Sequence, residues 1–527
     1  MKMKKSQKNK LSNFKFLLAA FAAVILCSCQ NITEEPDTTT TKVANTSEAT
    51  IISDKVKAAG ENINIKTDCG AKGDGKTNDT EAFQKAAKLI KEAKGGKLTI
   101  PQGVYIVGGQ IHKPGEYPYY QALPILEFKD LDGVEVVGDK AVLKLADGLH
   151  YGSFDKDTGE PYTPSTPIFT DGKYAANAYW GMLSFRDCRN VVVRNLELDG
   201  NCSKLIIGGS YGDTGRQLGA HGISMHNNNN VRIENLYTHH HACDGIIIGW
   251  TGLKDGDQPT PHTLVNVNSE YNGRQALSWV GGRGITAINC KFNHTGRAGI
   301  SSAPGAGLDI EAESAVCRDG VFKDCEFINN VGCGVVADSG DGGYTTFENC
   351  VIWGTTSWAM WNVKPGIKFN NCRFYGSIIY NYGSAKEPEL ATQYRNCSFE
   401  DKEDPKFGVY RGAALISNGG ANVLFENCDV VANKVNALSL TNGVILRNCR
   451  ITHKNADGKD GSAQSSFHKC LLENVHFMEK FPENFSKKHY IGLDRVKIGE
   501  GIIVDGPVVK WSNCDGLTGQ IPPSAKN

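Results

Sequence analysis

The chain has 527 residues, with 57 Lys plus Arg against 57 Asp plus Glu. A zero net charge gives no support to nucleic-acid binding, although a local basic groove for an acidic polysaccharide can hide in a neutral total. With 59 Gly and 18 Pro, the composition suits many tight turns between short strands, and so long a chain fits one unit growing along an axis better than one compact core.

Lys2, Lys4, Lys5, Lys8 and Lys10 precede a mostly apolar stretch, Phe14 to Leu26, of 13 residues. That is too short to span a bilayer and reads as a targeting segment. It closes as Leu26-Cys27-Ser28-Cys29, which resembles a bacterial lipoprotein box with Cys29 lipidated. Gln30 to Asp37 resembles the acidic tract after the lipid Cys of surface-displayed lipoproteins. The expected organisation is a signal peptide over 1–28, a Thr-, Ser- and Ala-rich flexible tether over 29–61, and one domain over 62–520. The expected location is the outer membrane or cell surface, held by the lipid anchor. No second long apolar run follows, so no spanning segment is expected.

The domain opens on Asp68-Cys69-Gly70-Ala71-Lys72-Gly73-Asp74-Gly75-Lys76-Thr77-Asn78-Asp79-Thr80. Residues 80–94 then carry Phe83, Ala86, Ala87, Leu89 and Ile90 at helical spacing, with Asn78 or Asp79 as N-cap. Gly70 to Thr77 spells a phosphate loop, but no alternation of parallel strands and crossover helices surrounds it, so nucleotide binding is set aside. Rung-like strand text follows at Leu131–Gly138, Asn190–Leu198, Asn230–Leu236 and Leu264–Asn268. Segments 108–125, 148–178 and 199–220 lack it and read as projecting loops, where function tends to sit.

From Cys290 a short pattern returns, as in Asn289-Cys290-Lys291-Phe292 and Asn371-Cys372-Arg373-Phe374. Its cysteines are Cys290, Cys325, Cys350, Cys372, Cys397, Cys428, Cys449 and Cys470, spaced 35, 25, 22, 25, 31, 21 and 21 residues apart. Such a period marks a solenoid, and each unit is β-rich and too short for a strand pair plus a helix. The expected fold is all-β, a right-handed parallel β-helix with an N-terminal capping α-helix. The cysteines then stack inside the coil, unpaired, because parallel Cβ vectors do not suit a disulfide.

The opening motif, the helix and Gly95-Gly96-Lys97-Leu98-Thr99-Ile100-Pro101-Gln102-Gly103-Val104-Tyr105 together resemble the start of the pectate-lyase-like superfamily of right-handed β-helix proteins, with Cys69 where that pattern has Phe. The resemblance is close over 63–107 and looser to about 480. It implies polysaccharide lyases, glycoside hydrolases, epimerases or tailspikes, and fold alone does not select among them. The pectin hydrolases of this fold carry N-T-D, D-D and G-H-G. Here His221-Gly222 is the only partial match, and the epimerase-type D-P-H is absent.

Seven of the 13 His lie between 221 and 294, close to Asp244, Arg274, Arg297, Asp309, Glu311 and Asp338. Aligning Gly245–Ile248, Ala276–Trp279, Gly307–Glu311 and Gly334–Asp338 turns Leu308 and Ile310 inward, turns Asp309 and Glu311 outward, and sets Asp338 one rung above Glu311. Acids that close imply a Ca²⁺ site, a shared proton or a compensating Arg. Residues 297–305 should form a lip beside them. The leading expectation is β-elimination on a uronate polymer of pectate, alginate or glycosaminoglycan type. Asp309, Glu311 and Asp338 would hold Ca²⁺, Arg274 or Arg297 would neutralise the carboxylate, and His241 or His294 would move the proton. Trp279 and Trp361 are candidate sugar platforms. A glycoside hydrolase using two of the carboxylates and a non-catalytic glycan binder remain the alternatives.

Overall fold

A computed structural model describes residues 60–113, 120–165, 172–212, 215–482, 484–486, 489–499 and 501–516. Cys29, the signal segment and nearly all of the tether lie outside the described residues. The rest is the expected parallel β-helix. Its strands run from Glu61–Asn64 to Val508–Ser512 and sort into a 26-stranded and a 14-stranded sheet, with small sheets of five and two strands. Among the described residues no helix is long and apolar enough to cross a membrane.

The helix expected over 80–94 is α1 (Thr80–Glu92), which buries Ala82, Phe83, Ala86 and Ile90. The phosphate-loop letters before it are already occupied. The backbone N–H groups of Lys72 and Gly73 donate to the Asp79 carboxylate at 2.7 and 2.9 Å, which leaves no open anion cradle there.

Most coils of the ladder bend where an Asn takes the left-handed conformation, with Asp324 doing so before Cys325, and this costs Asn and Asp less than most residues. Asn289, Asn349, Asn371, Asn396, Asn427 and Asn448 all have positive φ. Their side chains bridge successive rungs, as in Asn427 to Asn396 at 3.2 Å and Asn448 to Asn427 at 3.1 Å. The Cys after each bend turns inward, and its thiol donates to backbone carbonyls, as Cys372 does to Phe347 at 3.5 Å. These cysteines are free and buried. The file of eight cysteines expected from the spacing is one shorter. Leu471 pairs with Ile445, and His476 with Arg450, so Val475 continues the file after Cys449. Cys470 sits at another corner, and the ladder has seven members.

Inside, Phe292, Phe322, Phe327, Phe347, Phe369 and Tyr394 continue the stack, with neighbouring rings such as Phe347 and Phe369 at 4.8 Å. The described residues of the three segments without rung text do project. They also order one another, because Gln110–His112, Tyr120–Ala122, His150–Ser153, Ala175–Ala176 and Ile206–Ile207 form the five-stranded sheet.

Candidate active site

The site lies on the outer face of the 14-stranded sheet. Its strands here are β1 (Gly181–Arg186), β2 (His221–His226), β3 (Ile246–Gly249), β4 (Leu277–Trp279), β5 (Leu308–Ala312), β6 (Val335–Gly340) and β7 (Met360–Asn362). Ile246, Leu277, Leu308, Val335 and Met360 are in register, as the sequence alignment required. Ser278, Asp309, Val336 and Trp361 then make one outward row. A second polar row at the start of these strands holds His221, the first residue of β2, and the corner residues Asp244 and Arg274–Gln275.

These groups form one connected cluster. His221 Nδ1 lies 3.3 Å from Asp244 Oδ2. Arg274 reaches the same oxygen at 3.6 Å through Nη1, and Glu311 Oε2 at 3.8 Å through Nη2. Gln275 Nε2 donates to Asp309 Oδ2 at 2.6 Å, and its Oε1 accepts from the Ala306 N–H at 3.0 Å. Asp244 and Gln275 are 0% exposed and Asp309 is 2% exposed. Arg274 Nε and the Ser278 hydroxyl are buried without a hydrogen-bond partner, while His221 Nδ1 and Asp244 Oδ2 have only the ionic contacts just given. Buried polar atoms left this sparsely paired mark a candidate functional region, since folded interiors otherwise pair such groups.

The carboxylates are driven in opposite directions. Burial raises Asp244, but Arg274 and His221 outweigh it and hold the group below the ordinary value. Burial, then the neighbouring Glu311, pushes Asp309 well above it, despite Arg274. Burial also raises Glu311, with Glu313 and Asp338 adding to the shift against Arg274. These opposed directions favour the ionised form of Asp244 and the protonated form of Asp309. Opposed carboxyls of this kind are the signature of acid–base sites.

Of the expected site residues, Arg274, Asp309 and Glu311 come together. Asp338 does not stack on Glu311. A bulge between Ile310 and Glu311 pairs Glu311 with Ser339 instead, and Asp338 stands exposed with Ser339 as its partner. The oxygens of Asp309, Glu311 and Asp338 do not all lie within 4.8 Å of one another, so the proposed Ca²⁺ ligand set is not assembled. The positive group at Glu311 is Arg274. His221, Cys243 and Asp244 do cluster as possible metal ligands, with the Arg274 guanidinium opposing a cation there.

His241 is corrected as well. It is fully buried, with Nδ1 2.5 Å from the Tyr179 hydroxyl and Nε2 3.2 Å from the Leu198 carbonyl, and burial holds it well below its ordinary value. Trp279 points into the coil and is 1% exposed, so no sugar can stack on it. His294 and Arg297 belong to another corner. His294 meets Asn329 at 3.1 Å and stacks on Tyr271 at 4.7 Å. Arg297 donates to the Asn329 carbonyl and to the Thr355 and Thr356 hydroxyls. Trp361 remains half-buried on the outer row, 5.5 Å from Trp358 and 4.7 Å from Tyr380.

The lip is present. Ser302 N–H donates to the Gly273 carbonyl at 2.8 Å, and Gln217 of the 199–220 segment donates to the Ala303 carbonyl at 3.3 Å. The sequence reading missed Trp180, which is 51% exposed with its ring edge-on to His221 at 6.0 Å. Its signal was an aromatic at the end of a projecting loop, immediately before a strand of this sheet. From β1 to β7 there are six strand steps, so Trp180 and the Trp358–Trp361 pair bracket roughly 30 Å of outer face at the usual spacing.

The class this arrangement defines is a parallel β-helix with a polar cluster on the outer face of one sheet. Residues 62–301 match the family model described as Rhamnogalacturonase A/epimerase, pectate lyase-like, and that part of the chain is similar to the pectate-lyase-like β-helix proteins. The match takes in Trp180, His221, Asp244 and Arg274 and stops before Asp309. No match is found among curated proteins. Among solved structures, the chain is similar to the A-module of mannuronan C-5 epimerase AlgE4 from Azotobacter vinelandii, at 14% identity over 86% of this chain and 100% of that one, with a TM-score of 0.36. It is also similar to a putative glycosyl hydrolase from Parabacteroides merdae, at 17% identity over 55% and 97%, TM-score 0.30. A third is an exopolygalacturonase from Thermotoga maritima, at 16% identity over 85% and 92%, TM-score 0.26.

Proposed function

We propose that the protein cleaves a uronate-containing polysaccharide by acid–base hydrolysis on the outer face of the 14-stranded sheet. The observation that carries this is one guanidinium, Arg274, between two carboxyl groups of opposite tendency, Asp244 and Glu311. Glu311 reaches solvent, its side chain being 25% exposed, and is the general acid. It gives its proton to the glycosidic oxygen as the bond to the anomeric carbon breaks. Asp244 takes the proton of the water that adds to that carbon. Protonated Asp309 keeps negative charge beside Glu311 low. Trp180 and Trp361 are the platforms for sugar rings.

β-Elimination is the second reading, because the Arg274 guanidinium beside the half-buried Glu311 is the positive group that could neutralise a uronate carboxylate. It stands second because Arg274 already faces two carboxyl groups, so little positive charge is left to neutralise the substrate. Attachment to the cell surface through lipid on Cys29 is part of the same proposal; lipid labelling that persists in Cys29→Ser would overturn it.

The experiment incubates the purified protein with pectate, alginate, glycosaminoglycan and neutral glycans, with and without chelator. New reducing ends and ultraviolet absorbance are followed together. Reducing ends without absorbance are expected. Absorbance would mean elimination, and chelator sensitivity would restore Ca²⁺. Neither signal on any substrate would leave a glycan binder.

A further inference from the structure

A second cluster of chemically competent side chains lies apart from the cleft cluster, where the chain leaves the strands Arg189–Asp199 and Asn229–His239. His239 Nδ1 and His240 Nδ1 are 2.6 Å apart, and Asp199 Oδ1 lies 3.8 Å from His239 Nδ1. These three atoms all fall within 4.8 Å of one another. The local fold forces the meeting. Asp199 and His239 are register partners on neighbouring strands, and His240 takes a positive φ of 55° that turns its ring back over them.

The hydrogen bonding around the cluster gives each nitrogen its role. His239 Nε2 lies 3.3 Å from Glu197 Oε1. That carboxylate favours the proton on Nε2 and leaves the Nδ1 lone pair free, the arrangement in which an outer carboxylate orients a metal-binding imidazole. Two facing Nδ1 atoms can then hold only one proton between them, supplied by His240. A dipositive ion that replaces this proton gains both nitrogens. Lys144 Nζ engages the other oxygen of Asp199, Oδ2, at 3.2 Å, and the Asn201 N–H donates to Oδ1 at 2.8 Å, so the carboxylate is held in place with Oδ1 toward the histidines. His240 stacks on Tyr271 at 5.3 Å, which fixes its ring plane.

We propose that Asp199, His239 and His240 form a three-ligand site for a divalent transition metal of the zinc class. Two imidazoles and one carboxylate suit such an ion. A tetrahedral ion with metal–nitrogen bonds of about 2.0–2.1 Å needs its two nitrogens about 3.3 Å apart, so the rings must separate by less than an ångström. Asp199 and His240 are partly exposed, so the ion has a route in and a fourth position for water. The ion would brace the root of the 199–220 segment, whose far end touches Ala303 beside the cleft.

The test uses the untagged, chelator-stripped protein dialysed against Zn²⁺ alone, with bound metal measured by mass spectrometry. About one ion per chain is expected. His240→Asn removes a ligand yet suits the left-handed backbone, so its circular dichroism should match wild type while its affinity falls roughly tenfold or more. Zinc should raise the melting temperature of wild type and not of His240→Asn. Cys243→Ser probes the other possible cluster, at Asp244. Zinc lost in Cys243→Ser and kept in His240→Asn would overturn the assignment. So would equal binding by wild type and His240→Asn, or no binding by wild type.

Discussion

Arg274 Nη2 meets Glu311 Oε2 at 3.8 Å across the boundary between two rungs. The contact exists because β4 and β5 are adjacent and in register. The same guanidinium holds Asp244 on the rung before, at 3.6 Å. The turn carrying Arg274 and Gln275 thus ties Asp244 on the turn before to Glu311 and Asp309 on the turn after, Asp309 through its Gln275 hydrogen bond.

Removing Arg274 should cost both activity and stability. Arg274→Met leaves the fully buried Asp244 without its positive partner, and breaking such a pair costs about 3–5 kcal/mol. The Arg274→Met/Asp244→Asn double variant should recover part of that loss while staying inactive. Denaturant melts of the three proteins check this, and a double variant no more stable than the single would remove the pairing argument.

Asp309→Asn and Glu311→Gln should part company. An amide replaces a protonated carboxyl nearly isosterically and still accepts from Gln275, so Asp309→Asn is expected to keep activity within about tenfold of wild type. Glu311→Gln loses the proton donor and should lower kcat by roughly 10²–10⁴. Equal losses in both variants would return Asp309 to a direct role, including a metal-binding one.

The pH dependence follows from the same shifts. Glu311 acts protonated, so activity should fall as pH rises through its raised value, with Asp338 contributing to the elevation. Asp338→Asn removes that repulsion and should move the basic limb of kcat/KM to lower pH. For stability, Asp309 binds its proton more tightly folded than unfolded, well above the ordinary 3.8. Its contribution is therefore complete below that ordinary value and lost as pH rises from there through the folded one. Asp309→Asn should flatten this part of the profile; melting curves across pH report it.

Two tryptophans, Trp180 on the outer face and Trp279 inside the coil, predict opposite outcomes. Trp180→Ala should raise KM several-fold, in line with roughly 0.5–1.5 kcal/mol for a ring stack, with little change in melting temperature. Trp279→Ala removes a core ring and should cost about 3–5 kcal/mol of stability.

Thiol reactivity tests the interior. A thiol reagent should spare Cys290 through Cys449 in the native protein and modify them on unfolding, because they are buried and reactivity needs an exposed thiolate. Cys69 and Cys514 are partly exposed and should react first.

The chain by itself determined the coil, the capping helix and the register of the cleft strands. Those rest on short-range rules: a fixed period, alternation of side chains, and Asn before an inward Cys at most bends. It also placed Arg274, Asp309 and Glu311 on one face, since residues equally far along adjacent rungs must be neighbours. What only the tertiary structure decided came from departures from that regularity. A single bulge shifted Asp338 away from Glu311, and a change of corner took Cys470 out of the file. His241 turned inward while His240 turned back to His239, because one residue of positive φ reverses which side a neighbour faces. The projecting loops brought Trp180 to His221, a contact between β1 and β2 that no local pattern encodes. The His221–Asp244 pair and the opposed carboxyls arise from burial under those loops. Burial is a property of the whole fold, and it sets both the charge state of each group and the chemistry open to it.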